Sequence, residues 1–267
     1  MNDIKLIISD LDGTLLNEEK LVSDATKQAI EACKNKGIYF GIATGRPLEP
    51  SLELVQEWGI DDLCDFVLAM NGAELFDCKK KEKTCFFQIE PSVVKGIMDH
   101  FSNMKVRFYI FEDNTRYVNY SDEETKKDAA TYRENEVQAD LYALCTHPFT
   151  KVSVECDPKD IEQIVEHGKQ FKGGHCTGYK SAPHLYEYVD SRVNKSYGIQ
   201  QLCNKIGITM ENVITFGDTS NDIDMLRDAG ISVCMSNGTS DAKEVADVIT
   251  LSNKDDGVAY YLNTYIL

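Results

Sequence analysis

The sequence predicts an α/β protein with a doubly wound parallel sheet, interrupted by a smaller inserted α+β domain. Three observations predict it. Short apolar runs alternate with helical patterns over residues 4–77 and again from Asn194 to the C-terminus. Between them lie aromatic-rich strand-like segments at 84–89, 106–112 and 116–120, which break that alternation. The chain has 267 residues, 42% apolar and 27% charged, enough for one large core or two smaller ones.

The elements follow in order. Residues 4–9 form a buried-type strand. Ser23 is a helix N-cap, and Ala25, Ala29, Ile30 and Cys33 form an apolar stripe that stops at Gly37. A second strand covers 38–43. Pro47 suits the first turn of a helix running to Trp58. The third strand, 66–70, meets the turn pair Asn71-Gly72 and a short return strand at 74–76. The middle region adds a helix at 92–104, a strand at 151–156, a helix over 158–171 and a strand at 185–189, with an antiparallel sheet expected and 176–184 read as a loop. The alternation then resumes with a helix at 195–206, a strand at 213–216, a helix at 220–229, a strand at 231–235, a helix at 239–246, a strand at 248–251 and a last helix. The simplest division is a core of 1–82 with 188–267 and an inserted domain of 83–187.

Composition narrows the partners. The formal charge is −16, so no basic footprint for nucleic acid exists. The run Lys79-Lys80-Lys81 with Lys83 reads as a solvated hairpin turn. Apolar runs are strand-sized, such as Val67-Leu68-Ala69-Met70, and fall well short of the ~20 residues a membrane helix needs. No apolar signal-peptide core precedes the first strand, so a cytoplasmic location is expected. Nine cysteines, with no CxxC pair, are expected to be reduced, mostly core thiols.

Three apolar strands end in reactive polar groups: Asp10-Leu11-Asp12-Gly13-Thr14, Thr44-Gly45-Arg46, and Gly217-Asp218-Thr219-Ser220-Asn221-Asp222. In an open parallel sheet, ligands bind at the carboxyl ends of strands. Helix capping explains at most one of Asp10 and Asp12. Thr44-Gly45-Arg46, taken alone, could be a plain turn with a surface arginine. Asp218 and Asp222 at i, i+4 repel each other on a helix surface, so a cation or a cationic side chain is the better account. Lys195 starts a helix, where a positive charge opposes the dipole. Paired carboxylates at the end of a buried strand need a divalent cation, or a reaction that uses a carboxylate nucleophile beside a proton donor, which hints at phosphate chemistry.

Together these motifs resemble the haloacid dehalogenase-like phosphatases, in the Cof-type branch with a large α/β cap, over essentially the whole chain. The matching residues are Asp10-Leu11-Asp12-Gly13-Thr14, Thr44-Gly45-Arg46, Lys195 after Glu187-Tyr188-Val189-Asp190, Gly217–Asp222, and Asp256-Gly257-Val258-Ala259. The resemblance implies a Rossmann-like core, with the inserted domain as a cap over the active site. It implies Asp10 as nucleophile, Asp12 as general acid and base, and Mg²⁺ held by Asp10, the Asp12 carbonyl and Asp218. Thr44, Gly45, Arg46, Lys195 and Asn221 would bind phosphate, Lys195 also acting in catalysis, while Asp222 would orient Lys195 or a metal-bound water. An acid at position 12 separates phosphatases and mutases from the ATPases of the superfamily, which have Thr there. One departure is Ser236-Asn237-Gly238, where the family usually has Gly-Asn-Ala; a small backbone adjustment is expected.

The implied activity is Mg²⁺-dependent hydrolysis of small phosphomonoesters such as sugar phosphates, through an aspartyl-phosphate. A phosphosugar mutase and a non-catalytic phosphometabolite binder share the fold and stay open at this point. Lys180 and His184, near the return to the core, are candidates for substrate contacts in the cap.

Overall fold

A computed structural model of the chain describes residues 3–131 and 133–267. Its elements are β1 (Leu6–Ser9), α1 (Asp24–Asn35), β2 (Tyr39–Ala43), α2 (Leu48–Glu57), β3 (Phe66–Ala69), β4 (Glu74–Asp77), β5 (Glu82–Cys85), α3 (Pro91–His100), β6 (Arg107–Glu112), β7 (Thr115–Val118), α4 (Glu123–Thr131), β8 (Asn135–Gln138), α5 (Leu141–Leu144), β9 (Lys151–Glu155), α6 (Ile161–Gly168), β10 (Cys176–Ala182), β11 (Leu185–Asp190), α7 (Lys195–Ile206), β12 (Val213–Gly217), α8 (Ile223–Asp228), β13 (Ile231–Cys234), α9 (Ser240–Val245), β14 (Val248–Ile249) and α10 (Gly257–Tyr265). Two compact units emerge: residues up to Thr84 with Asn194–Leu267, and Cys85–Val193. The expected return point at 188 falls inside β11. That strand pairs with β9 and β10, which keeps it in the second unit.

The first unit holds an eight-stranded sheet in the order β14-β13-β12-β1-β2-β3-β4-β5. The pairs from β14 to β3 are parallel, and β4 returns antiparallel to β3. β1 sits centrally between β2 and β12. The chain winds outward from it in both directions, so the topological switch point lies at β1 and β12. β1 and β3 are buried along their whole length, which explains why they read as unbroken apolar runs. Ile7, Leu11, Phe40, Ile42, Val67 and Phe216 anchor the core.

Several boundaries differ from the sequence reading. The Ser23 hydroxyl accepts from Thr26 N, as a cap should, but this phase puts Thr26 inward and leaves Ala25 exposed. Pro47 is the N-cap of α2 and not part of its first turn. The helix expected at 220–229 is a 3₁₀ turn, Ser220–Asp222, followed by α8. The helix expected over 158–171 is likewise a 3₁₀ turn plus the shorter α6.

The second unit has a six-stranded sheet, β10-β11-β9-β6-β7-β8. It is antiparallel except for β7 and β8, which pair in parallel and so correct the fully antiparallel expectation. Val94, Ile97, Phe101, Ile110, Val152 and Tyr188 form its core. His100 and His167, stacked at 4.0 Å, each hydrogen-bond the other's backbone carbonyl and clasp the ends of α3 and α6. Residues expected as a loop after 176 form β10; the Tyr186 ring lies where a side chain on Gly178 would stand. The elements α4 and β8 escaped the sequence reading because their residues are mostly polar, and α5 because its single turn is too short to show a helical stripe. Arg116, which is buried, holds α4 and β8 by pairing with Asp128 at 2.8 Å and Glu136 at 2.9 Å. Among the described residues, no helix is long and apolar enough to cross a membrane.

Glycine lets α7 reach the sheet. Gly72 has φ +90°, and a Cβ there would stand 2.4 Å from the Asn194 carbonyl oxygen. Gly198 in turn packs on the Gly72 Cα. Gly72→Ala is expected to cost more than about 2 kcal/mol, adding a backbone clash to left-handed strain. Gly207→Ala, also at positive φ but facing open space, should cost only about 1 kcal/mol. Urea midpoints for the two variants test this; equal midpoints would reject the packing argument.

Candidate active site

β1 hands its end directly to the site. Asp10 N donates to the Phe216 carbonyl at 2.9 Å, so the strand pairing continues to the first acid. Asp10 is buried, Leu11 turns into the core, and the Asp12 side chain is 44% exposed. The two acids therefore stand in opposite environments two residues apart. Gly13, at φ +87°, lets the chain press against Asp218: a Cβ would lie 2.3 Å from its Oδ2. The Thr14 hydroxyl donates to Asp218 Oδ1 at 2.9 Å.

β12 brings the second group. Asp222 Oδ2 accepts from the backbone N–H groups of Asp218 and Thr219, at 2.9 and 3.1 Å. Its Oδ1 lies 2.6 Å from Lys195 Nζ. Lys195 also contacts Asp10 Oδ1 at 2.5 Å and has no exposed surface. The Asn194 side chain accepts from Tyr197 N and starts α7, which directs Lys195 inward against the helix dipole. The two carboxylates compensate that cost. Burial works against the Lys195 charge, yet Asp10 and Asp222 outweigh it and hold its pKa above the ordinary value.

The acids respond differently. Burial, aided by Asp222 and Asp218 and opposed by Lys195, pushes Asp10 up to about 7. Burial also raises Asp218 to about 6, against the hydrogen bond from Thr14. Asp12 goes the other way: partial burial works to raise it, but the Arg46 guanidinium and the Lys20 ammonium hold it below the usual range. Arg46 grips Asp12 through Nε and Nη2 at 3.0 and 2.7 Å, and Lys20 Nζ adds a contact at 3.0 Å.

Thr44 is buried at the end of β2, its N–H donating to Leu68 O and its hydroxyl accepting from Arg46 N at 3.2 Å. Gly45 lies beside the Asn71 carboxamide. Asn221 accepts from the Thr219 hydroxyl at 2.6 Å. The first unit thus gathers Asp10, Asp12, Thr44, Gly45, Arg46, Lys195, Asp218, Asn221 and Asp222 at the carboxyl ends of its central strands. Lys180 and His184 belong to the second unit. There Lys180 pairs with Glu162 at 2.7 Å, and His184 lies between β10 and β11 with its carbonyl accepting from Cys156 N.

Sequence reasoning missed Lys20 and the part played by Asn237. Lys20 has φ +60°, and the Trp58 indole donates to its carbonyl at 3.0 Å. No pattern near residue 20 signals this. Asn237 donates to Gly13 O at 2.8 Å, tying the 236–238 loop to the first motif. At Gly238 a Cβ would stand 2.7 Å from Cys234 Sγ, so a glycine fits where the family usually has alanine.

Carboxylate oxygens of Asp10, Asp218 and Asp222 all lie within 4.8 Å of one another. Hard oxygen donors at this spacing fit a divalent cation. Both Asp222 oxygens already accept hydrogen bonds, from Lys195 on one side and from two backbone N–H groups on the other. Asp10 and Asp218 are therefore the better ligands, and Asp222 the residue that fixes Lys195.

The haloacid dehalogenase-like hydrolase family model matches residues 7–262. A 5-amino-6-(5-phospho-D-ribitylamino)uracil phosphatase of Bacillus subtilis is 33% identical, over 99% of this chain and 97% of its own. A haloacid dehalogenase-like hydrolase from Bacteroides thetaiotaomicron superposes with a TM-score of 0.87 at 27% identity, over 97% of this chain and 98% of its own. A subclass IIB sugar phosphatase superposes at 0.80 with 25% identity, over 98% of both chains. With motifs, fold and relatives in agreement, this chain belongs to the haloacid dehalogenase-like hydrolases and is a phosphatase.

Proposed function

We propose that the protein is a Mg²⁺-dependent phosphomonoesterase that works through an aspartyl-phosphate on Asp10. The observation that carries this reading is the contrast between Asp10, buried against Lys195, and Asp12, near solvent between Arg46 and Lys20. A nucleophile and an acid–base group need such separate environments. Asp10 attacks phosphorus; its bond to phosphorus forms as the bond to the ester oxygen breaks. Asp12 protonates the departing alkoxide, then takes a proton from the water that hydrolyses the acyl-phosphate. An incoming phosphate competes with Asp12 for the Arg46 guanidinium, which releases the acid for its first role. Thr44, Gly45, Arg46, Lys195 and Asn221 bind the phosphate oxygens, and the Lys195 charge stabilises the transition state. Mg²⁺, held by Asp10, Asp218 and the Asp12 carbonyl, would neutralise phosphate charge so that a carboxylate can approach it.

The substrate reading is a small polyol or sugar phosphate, supported by the ribityl phosphate and sugar phosphate relatives. The inserted unit serves as the cap that selects the leaving group, with Lys180 and His184 as its candidate contacts. The cysteines, none of them in a disulfide among the described residues, support a cytoplasmic setting, and the charge of −16 argues against nucleic-acid partners.

The test is phosphate release from p-nitrophenyl phosphate and a panel of sugar and polyol phosphates. Turnover is expected with Mg²⁺ and not with EDTA. The Mg²⁺ concentration for half-maximal rate should rise as pH falls from about 8 to 6, because protons compete for the raised Asp10 and Asp218. Equal release in EDTA would reject the metal-dependent reading.

A further inference from the structure

The turn after β3 has three successive residues with left-handed backbone. Met70 has φ 49°, Asn71 φ 54° and Gly72 φ 90°. Two non-glycine residues in this region are strained, and such strain gathers where function demands it. The turn is held at both ends of the Thr44-Gly45-Arg46 loop: Asn71 N donates to Thr44 O at 2.9 Å, and Met70 N to Arg46 O at 3.0 Å. The Asn71 carboxamide lies over Gly45, where a Cβ would stand only 3.2 Å from its Oδ1. On its other side Asn221 Nδ2 approaches Oδ1 at 3.5 Å, across 150 residues of sequence. Gly72 carries Asn194 and the start of α7. One turn therefore touches all three segments that bring phosphate-binding groups. A plain hairpin turn needs no such side chain.

We propose that Asn71 is a positioning residue for phosphate: its carboxamide sets the spacing between the Thr44-Gly45-Arg46 loop and Asn221. This rests on the phosphatase reading above and adds a residue to it. Asn71 acts through its neighbours, so its loss should weaken phosphate binding more than it slows chemistry.

Asn71→Gly separates side chain from backbone, because glycine accepts the left-handed turn without strain. It is expected to raise KM for p-nitrophenyl phosphate and Ki for inorganic phosphate by roughly fivefold or more. Turnover number should stay within about threefold, and the thermal midpoint should not fall. If Asn71 served only the backbone, glycine would leave KM and Ki within about twofold, and that result overturns the proposal. So does a change confined to kcat. Asn221→Ala, on an exposed turn, keeps the question open to test if the glycine variant folds poorly. It should raise Ki similarly, and the double variant should show less than the product of the two effects. Independent, multiplying effects would overturn the proposal. Calorimetry of inorganic phosphate with Mg²⁺ on wild type and Asn71→Gly reads the same difference without turnover. A wild type that binds phosphate but hydrolyses no ester would reject the activity and leave this inference standing or falling on the binding ratio.

Discussion

Asp10→Asn is expected to lower kcat for p-nitrophenyl phosphate by at least about 10³-fold, with the fold intact. Asparagine keeps the shape of the side chain and loses the carboxylate oxygen proposed to attack phosphorus. Lys195 stays paired with Asp222 at 2.6 Å, so no buried charge is orphaned. Burial already pushes the Asp10 carboxyl up to about 7. Replacing it with a neutral amide therefore relieves a charge that the site desolvates, and the thermal midpoint should hold or rise at pH 8. Acid-quenched protein from wild-type turnover should carry phosphate on Asp10, and the variant none. Residual turnover within about tenfold of wild type would sink the aspartyl-phosphate mechanism.

Lys195→Met has the second large effect, on stability and rate together. The ammonium is fully buried between Asp10 and Asp222. Removing one partner of a buried ion cluster leaves uncompensated charge and costs about 3–5 kcal/mol. The variant's stability should depend on pH with a definite sign. Asp10, already raised by burial, loses the nearby charge that opposed the rise. Folded protein then binds protons that the unfolded chain releases above its ordinary carboxylate pKa. Stability should thus fall as pH climbs from about 4 toward 8 and recover on acidification. Denaturant midpoints at pH 5 and 8 check this. A midpoint that is the same at both would mean that the carboxylates do not feel the loss. Activity should be lost even where the variant is folded, since the cation that faces the proposed nucleophile has gone.

Much of this was legible in the sequence for a physical reason. Fully buried parallel strands leave unbroken apolar runs, and the acids that end them cannot be explained by packing. Ser23, Asn71-Gly72 and the Asp218/Asp222 spacing each carried local chemistry that the fold preserves. The polar middle of the second unit was not legible. Its α4 buries only Thr125 and Ala129 and is fixed by Arg116, whose partners Asp128, Glu134 and Glu136 lie 12, 18 and 20 residues further along the chain. No periodicity encodes such a network. Nor could the sequence say that Arg46 would hold Asp12, or that Lys20 would reach the same carboxylate. Those contacts depend on loop conformation, and Lys20 gets there through a positive φ that nothing in its residue type announces.

The central place of β1 has a consequence for the life of the chain before it is an enzyme. Asp10 meets Lys195 across 185 residues and Asp218 meets Thr14 across 204. At about 5–20 residues per second, translation leaves roughly 10–40 s between the emergence of Asp10 and that of Lys195 and Asp218. During that time β1 has β2 on one edge but lacks β12 on the other, and its terminal acid lacks Lys195. The proposed catalytic constellation is therefore among the last things the polypeptide completes, and a nascent chain that has made every residue of the first two motifs still lacks Lys195 and Asp218.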